Sequence, residues 1–107
     1  MATINFGGID ETVVMRSEFP VQKAQEVLQP ETVAIIGYGV QGPAQALNMK
    51  DNGLHVHVGL YEGSSSREKA EGEGLEVGVV ADVARDSDII MMLIPDHSMA
   101  EVYRESV

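Results

Sequence analysis

The sequence contains no cysteine and no tryptophan, and it has only 7 lysines and arginines against 17 aspartates and glutamates. Without cysteine the chain can form neither a disulfide framework nor a thiolate metal site. The formal net charge of -10 argues against a nucleic-acid surface, because phosphate backbones are bound by clustered basic residues. No apolar stretch approaches the length that crosses a bilayer, and the first residues lack the pattern of a secretion signal. We therefore expect a cytoplasmic protein that binds neither nucleic acid nor membrane.

The chain divides into an arm, residues 1–30, and a folded segment, residues 31–107. Residues 1–18 show neither a strand period nor a helix period. After Pro20 the segment VQKAQEVLQ predicts a short amphipathic helix that Pro30 ends. Its apolar side chains recur at helical spacing at Val21, Ala24, Val27 and Leu28. Residues 31–107 carry the more regular patterns and form the second part of the chain.

From Thr32 onward, strand and helix patterns alternate. The run VAIIG is apolar and β-branched, which is typical of a strand buried on both faces. A helix that starts between Gly39 and Gln41 and ends at Asn52-Gly53 should turn Ala44, Leu47 and Met49 inward. Further strands are predicted in LHVHVGL, LEVGVV and IIMMLIP, with helical SREKAEGEG and ADVARDSD between them and a last helix in HSMAEVYRESV. The order predicts an α/β fold, a Rossmann-type parallel sheet of about four strands with flanking helices.

The sequence GYGVQG, residues 37–42, directly follows the first predicted buried strand and directly opens a helix. In this context the GxGxxG pattern is typical of dinucleotide binding, and we interpret residues 31–107 as a truncated dinucleotide-binding segment. Gly37 would allow the tight turn, Gly39 would let a diphosphate approach the backbone, and Gly42 would permit close packing of the helix on the strand. Free N–H groups at the helix start would then bind the diphosphate.

The end of the second predicted strand indicates two different cofactors. Glu62 lies about 20 residues after Gly42, where a carboxylate can accept hydrogen bonds from the adenine ribose of NAD. The following Gly63-Ser64-Ser65-Ser66-Arg67 offers hydroxyl groups and one guanidinium to the 2′-phosphate of NADP. The residues alone therefore leave both NADP and NAD open.

Three segments in this order and spacing resemble the ketol-acid reductoisomerase family, also called acetohydroxy acid isomeroreductase. They are VAIIGYGVQGPAQALNMKDNG, VGLYEGSSSREKA and LIPDHSMAEVY, and the likeness runs from about Thr32 to Val107. The resemblance implies a homo-oligomeric, magnesium-dependent enzyme of branched-chain amino-acid (isoleucine and valine) biosynthesis. Such enzymes rearrange a small 2-hydroxy-2-keto acid, such as 2-acetolactate, by alkyl migration and reduce the product with NADPH. For this chain the resemblance therefore implies NADP, with Glu62 turned outward and NAD as the alternative.

The resemblance also implies which residues contact the cofactor. Carried over by position, the set is Gly37, Tyr38, Gly39, Val40, Gln41 and Gly42 on the diphosphate and nicotinamide side, Tyr61, Ser64 and Ser66 around the adenosine 2′-phosphate, and Ile94, Pro95 and Asp96 at a cofactor ribose. Two positions depart from the family pattern, since Tyr61 stands where an arginine is common and Met99 where we would align a glutamine. Tyr61 can stack on adenine but supplies no positive charge.

No catalytic and no metal-binding residue is assigned within the chain. The resemblance places the catalytic histidine and the magnesium carboxylates beyond Val107, so we expect this chain alone to be inactive. His55 and His57 share a strand face, but further ligands are missing nearby, so we expect packing or surface roles. Two other hypotheses stay open, a non-catalytic NAD-binding regulatory module and a non-binding fragment that associates through its open sheet edge.

Overall fold

The computed structural model describes residues 1–107 and contains a two-stranded hairpin and a four-stranded sheet flanked by helices. In chain order the elements are β1 (Ala2–Phe6), β2 (Ile9–Val13), α1 (Val21–Leu28), β3 (Thr32–Ile36), α2 (Gly42–Asp51), β4 (His55–Leu60), α3 (Ser66–Gly72), β5 (Glu76–Val79), α4 (Val80–Arg85), β6 (Ile89–Met92) and α5 (Asp96–Ser106). The strands of the larger sheet are all parallel. The predicted α/β class with a four-stranded parallel sheet is confirmed.

The strand order in the larger sheet is β5-β4-β3-β6. From β3 the chain proceeds outward to β4 and β5, and it then crosses back to place β6 on the other side of β3. In such sheets a crevice opens at the carboxyl ends of the two strands where the direction of winding reverses. Here that crevice lies between the ends of β3 and β6.

Strand β3 divides the core into two layers because its side chains alternate between the faces of the sheet. Val33 and Ile35 pack in one layer, which contains Ala46 of α2 and Ala70 of α3. Ala34 and Ile36 pack in the other layer with residues of α4 and α5. Both faces of β3 are therefore covered, as the apolar run VAII predicts.

Helix α2 differs from its prediction in start and in inward face. It begins at Gly42 rather than between residues 39 and 41, and Ala44 is exposed whereas Ala46 is fully buried. The cause is the contact at Gly42, where an added Cβ would overlap the carbonyl oxygen of Gly37. This contact fixes the rotation of the helix, so Gly42 and Ala46, one turn apart, face the sheet. Leu47 and Met49 pack against the core as predicted.

The first 13 residues form an antiparallel hairpin where the sequence showed us no regular element. Gly7 and Gly8 make the turn with φ angles of +61° and +99°, a backbone that suits two-residue hairpin loops. Each strand is too short to establish a period in the sequence. The Gly7-Gly8 pair was the one sequence feature that indicated a hairpin turn here. No hydrogen bond joins residues 1–18 to the rest of the chain.

Helix α1 forms where predicted, but only part of its apolar face is covered. Ala24 and Leu28 are half-buried, while Val21 and Val27 are exposed. The Gln25 side chain of α1 donates a hydrogen bond to the carbonyl of Asn52, at the end of α2, over 3.0 Å. No helix of the chain is both long enough and apolar enough to span a membrane.

Candidate functional site

The glycine turn between β3 and α2 lies at the crevice, and Gly37 enables it. Gly37 has a φ of +100°, which L side chains rarely adopt. A Cβ there would lie 2.5 Å from the carbonyl oxygen of Leu93 and 2.8 Å from the Ile94 side chain. Only glycine allows the end of β3 to pass this close to the segment after β6.

Gly39 has open space where its side chain would be, with no heavy atom within 4 Å of a Cβ built there. Its φ is not positive, so the fold itself does not require glycine at this position. Gly42, in contrast, is buried against the backbone of Gly37. The structure therefore makes Gly37 and Gly42 necessary for folding and leaves Gly39 free to admit a ligand.

The amino end of α2 has no cap from the chain. Its N-cap residue, Gln41, makes no side-chain capping hydrogen bond, and Pro43 in the first turn has no N–H to satisfy. The backbone N–H groups of residues 39–42 and of Ala44 donate to no group of the chain. Val40 is 95% exposed at the tip of the turn. These free donors and the positive end of the helix dipole suit an anionic group.

A cavity of about 480 Å³ opens beside this turn. Its lining consists of Gly37, Tyr38, Gly39, Val40, Gln41, Met92, Leu93, Ile94, Pro95, Asp96 and Met99. All nine residues of the segments 37–41 and 93–96 lie there, although the two segments are more than 50 positions apart. Most of the lining residues are hydrophobic, and Asp96 is the only carboxylate among them.

A second cavity of about 190 Å³ lies at the carboxyl end of β4 and shares Gly37, Tyr38 and Ile94 with the first. Tyr61, Ser64 and Ser66 line it, together with apolar residues of the strand ends, α4 and α5. The two cavities therefore meet along the glycine turn. Of the 12 residues that the sequence assigns to the cofactor, 11 line one or both cavities, and Gly42 packs beneath them.

A β-turn follows β4, and its geometry determines which side chains of this loop line the second cavity. The Ser64 N–H donates to the carbonyl of Tyr61 at 3.1 Å, and Gly63 takes a φ of +80° in the turn. Ser64 Oγ accepts the Ser66 N–H at 3.2 Å, which leaves the Ser64 hydroxyl proton free to donate. Glu62 is exposed and lines neither cavity, in agreement with the outward orientation that we expected.

The guanidinium of Arg67 is not free in this structure. Its Nε lies 2.8 Å from Oε1 of Glu71, one helical turn onward in α3. Both side chains are about half-exposed, and pairs of this kind contribute only about 0.3 to 0.5 kcal/mol. Arg67 lines neither cavity.

Tyr38 lies differently from the expectation drawn from its place in the motif. Its ring is only 4% exposed and packs in the core with Ala70 and Leu75 rather than projecting towards a ligand. The hydroxyl donates to Oε1 of Glu73 at 3.1 Å. Burial, followed by this hydrogen bond and the negative charge of Glu73, raises the pKa of Tyr38 to about 12. Tyr38 still lines both cavities, with 4% of its surface exposed.

Met92, Leu93 and Met99 line the larger cavity, and sequence reasoning did not assign them to the site. Val80 and Val102 were likewise missed in the smaller one. Their position in the sequence could have identified these residues, because ligands of open α/β sheets bind at the carboxyl ends of strands and at the starts of the helices that follow. Apolar residues there were assigned to the core by their composition alone.

The two histidines of β4 form no metal site. They lie at the amino edge of the sheet with Lys50 and Glu76, opposite the crevice. No group of three or more histidine, cysteine, aspartate or glutamate side chains in the chain is arranged to hold a metal ion.

Comparison with known families decides the relationship. Residues 27–107 match the family model described as the NADPH-binding domain of acetohydroxy acid isomeroreductase. The chain belongs to the ketol-acid reductoisomerase family. The matched part is the domain that binds the nicotinamide dinucleotide in this family, and the resemblance seen in the three sequence segments is confirmed.

Relatives in the family carry both cofactor names. The chain is 47% identical over 107 residues to a ketol-acid reductoisomerase (NAD(+)) of Desulfosudis oleivorans, which covers 96% of this chain. It is 54% identical over 81 residues to the NADP(+) enzyme of Kocuria rhizophila and 52% identical over 82 residues to that of Clostridioides difficile, which cover 76% and 77% of this chain. The chain spans 30%, 24% and 25% of the length of these three relatives.

A solved structure shares the fold. It is described as an NADH-preferring ketol-acid reductoisomerase from an uncultured archean, and it superposes with a TM-score of 0.73 at 34% sequence identity. The match covers 78% of this chain and 27% of the solved chain. The family match does not favour the non-catalytic regulatory module that the sequence left open.

Proposed function

We propose that this chain binds NADP(H) in the two joined cavities, as the cofactor-binding part of a ketol-acid reductoisomerase. The observation that carries the proposal is that Ser64 and Ser66 line the cavity that continues into the glycine turn, while Glu62 stays outside it. A 2′-phosphate would then meet two hydroxyl groups and no carboxylate. Residues 31–107 are the dinucleotide-binding segment of this proposal, and residues 1–30 are its arm.

The parts of the site would divide the cofactor between them. Free N–H groups of residues 39–42 would hold the diphosphate, because an uncapped helix start favours anions. Tyr61, 71% exposed at the rim of the smaller cavity, would stack on adenine. Ile94, Pro95 and Asp96 line the larger cavity, where a cofactor ribose would lie beside the nicotinamide.

The chemistry of the whole enzyme is part of the proposal as well. A family member would rearrange a 2-hydroxy-2-keto acid such as 2-acetolactate and reduce the product, with magnesium and as a homo-oligomer. The cofactor would supply the hydride. The residues of this chain would bind the cofactor and shield its nicotinamide end within an apolar lining.

NADH is the second candidate, and two observations favour it. Arg67 is paired with Glu71 and lines neither cavity, so the second cavity has no guanidinium in its lining. Tyr61 also supplies no positive charge. Against this, each hydrogen bond from a serine to a phosphate is charge-assisted and is worth about 1.5 to 3 kcal/mol.

Calorimetric titration of the chain with NADPH and with NADH tests the assignment. We expect NADPH to bind more tightly at low ionic strength. Replacing Ser64→Asp together with Ser66→Asp should weaken NADPH binding by about tenfold or more, since like charges meet only the phosphorylated cofactor, and should spare NADH. Ser65→Asp is the control, because Ser65 lines neither cavity and its replacement should have the smaller effect. Tighter binding of NADH by the wild-type chain would overturn the assignment of NADP.

A further inference from the structure

One hydrogen bond joins the two halves of the proposed cofactor site. The Tyr38 hydroxyl, which belongs to the glycine turn, donates to Oε1 of Glu73 at 3.1 Å across 35 positions of sequence. Glu73 is the C-cap residue of α3, and α3 begins at Ser66. The bond therefore links the diphosphate turn to the helix that starts at the 2′-phosphate serines.

Glu73 is held firmly at its own backbone. Its N–H donates to the carbonyls of Lys69 at 3.0 Å and Ala70 at 3.2 Å, which closes the last turn of α3. Its carbonyl accepts from Nζ of Lys50, in the last turn of α2, at 3.4 Å. The carboxylate thus extends from a fixed point between the two helices.

The ring of Tyr38 also packs against residues of α3 and the segment that follows it. Ala70 and Leu75 pack in its core layer, and Nζ of Lys69 lies 5.9 Å from the ring centroid. The neighbouring residues of the turn have little support, since Gly39 meets open space and Val40 is almost fully exposed. Tyr38 is therefore the point at which α3 can fix the position of the exposed turn.

We infer that Glu73 is a positioning residue for the cofactor, acting through the Tyr38 hydroxyl to hold the glycine turn in register with Ser64 and Ser66. This inference rests on the proposed function. A dinucleotide must meet both segments at once, so a turn that shifts relative to α3 must be ordered again on binding, at a cost in affinity. A ligand that fills only the adenosine half does not meet that cost.

The test compares NADPH, which spans both segments, with adenosine 2′-phosphate, which reaches only the serines. Glu73→Ala should weaken NADPH binding about tenfold and leave adenosine 2′-phosphate within about twofold, as expected for the loss of one hydrogen bond to a charged group. Glu73→Gln keeps an acceptor oxygen at the same place and should restore most of the affinity for NADPH. Glu76→Ala removes the same charge three positions onward, at the start of β5, where the side chain is exposed and does not contact the Tyr38 hydroxyl, so it serves as the control.

Tyr38→Phe removes the bond from the other side while it keeps the ring in the core, so it tests the inference even if Glu73→Ala folds poorly. It should reproduce the selective loss for NADPH, and combining it with Glu73→Ala should add little, because both changes remove one interaction. Equal losses for both ligands, or no loss for NADPH, would overturn the inference. A wild-type chain that binds neither ligand would overturn the proposed function and this inference with it.

Discussion

At the scale of single residues, the three glycines of the motif differ in what requires them. Gly37 has a positive φ and touches the segment after β6, and Gly42 touches the backbone of Gly37. Both are needed for the chain to fold. Gly39 meets nothing and has no positive φ, so neither packing nor backbone conformation requires glycine there.

Replacing Gly39→Val should abolish dinucleotide binding and leave the melting temperature unchanged or slightly higher. The added side chain would occupy the approach to the free N–H groups, while loss of glycine at a compatible φ restricts the unfolded chain. Gly42→Ala is the matched control and should instead lower stability by about 1 to 3 kcal/mol, since its Cβ has no room. Unchanged affinity for NADPH in the Gly39 variant would remove the motif from the site.

Tyr38 gives the chain a pH dependence at the alkaline end. Burial raises its pKa from an ordinary value of 10.0 to about 12, so the folded state holds the phenol proton more tightly than the unfolded state. The stability that depends on this proton is fully present below pH 10 and is lost as the pH rises towards 12. Urea unfolding of the wild type between these values should show this loss, and Tyr38→Phe should not. Ultraviolet titration should find one of the 3 tyrosines ionising last.

At the scale of elements, local patterns located most helices and strands, and neighbouring elements decided the details. Pro20 precedes α1 and Gly53 follows α2, as predicted. The prediction that Ala44 faces the sheet was wrong, because the contact between Gly42 and the backbone of Gly37 sets the rotation of α2. The hairpin was missed because its strands pair only with each other and bury no core.

Deleting residues 1–18 should leave the melting temperature within about 3 °C of the wild type and leave NADPH affinity unchanged. The hairpin makes no hydrogen bond to the rest of the chain, and an isolated two-stranded hairpin contributes little stability. A deletion of residues 1–30 is the comparison, and it should be less stable because it also removes α1 and the Gln25 to Asn52 hydrogen bond. A large loss from the shorter deletion would show that the hairpin supports the body.

At the scale of the whole molecule, the site exists because the chain reverses its winding direction at β3. The order β5-β4-β3-β6 brings the ends of β3 and β6 together, and both cavities open there. The net charge of -10 is no obstacle to an anionic ligand, since the donors are backbone N–H groups at one helix start.

This chain alone should not turn over 2-acetolactate, even with magnesium and NADPH. Asp96 is the only carboxylate in the two cavities, and no group of three metal-binding side chains exists. The expected result is no enzyme-dependent fall in NADPH absorbance, measured beside a full-length family enzyme that shows one. If the purified chain itself turned over 2-acetolactate, the prediction that it contains no catalytic residue would be wrong.

The sequence by itself determined the fold class, the glycine turn and most residues that line the cavities. The fold class and the glycine turn follow from local causes, namely the apolar period of each strand and the φ that glycine alone adopts easily, whereas most of the cavity residues were assigned from the resemblance of three sequence segments to the family. Only the tertiary structure decided that β6 pairs with β3, that residues 93–96 therefore face residues 37–41, and that Tyr38 turns inward to Glu73. Each of these depends on contacts between residues far apart in the chain, and no local period or spacing encodes such contacts.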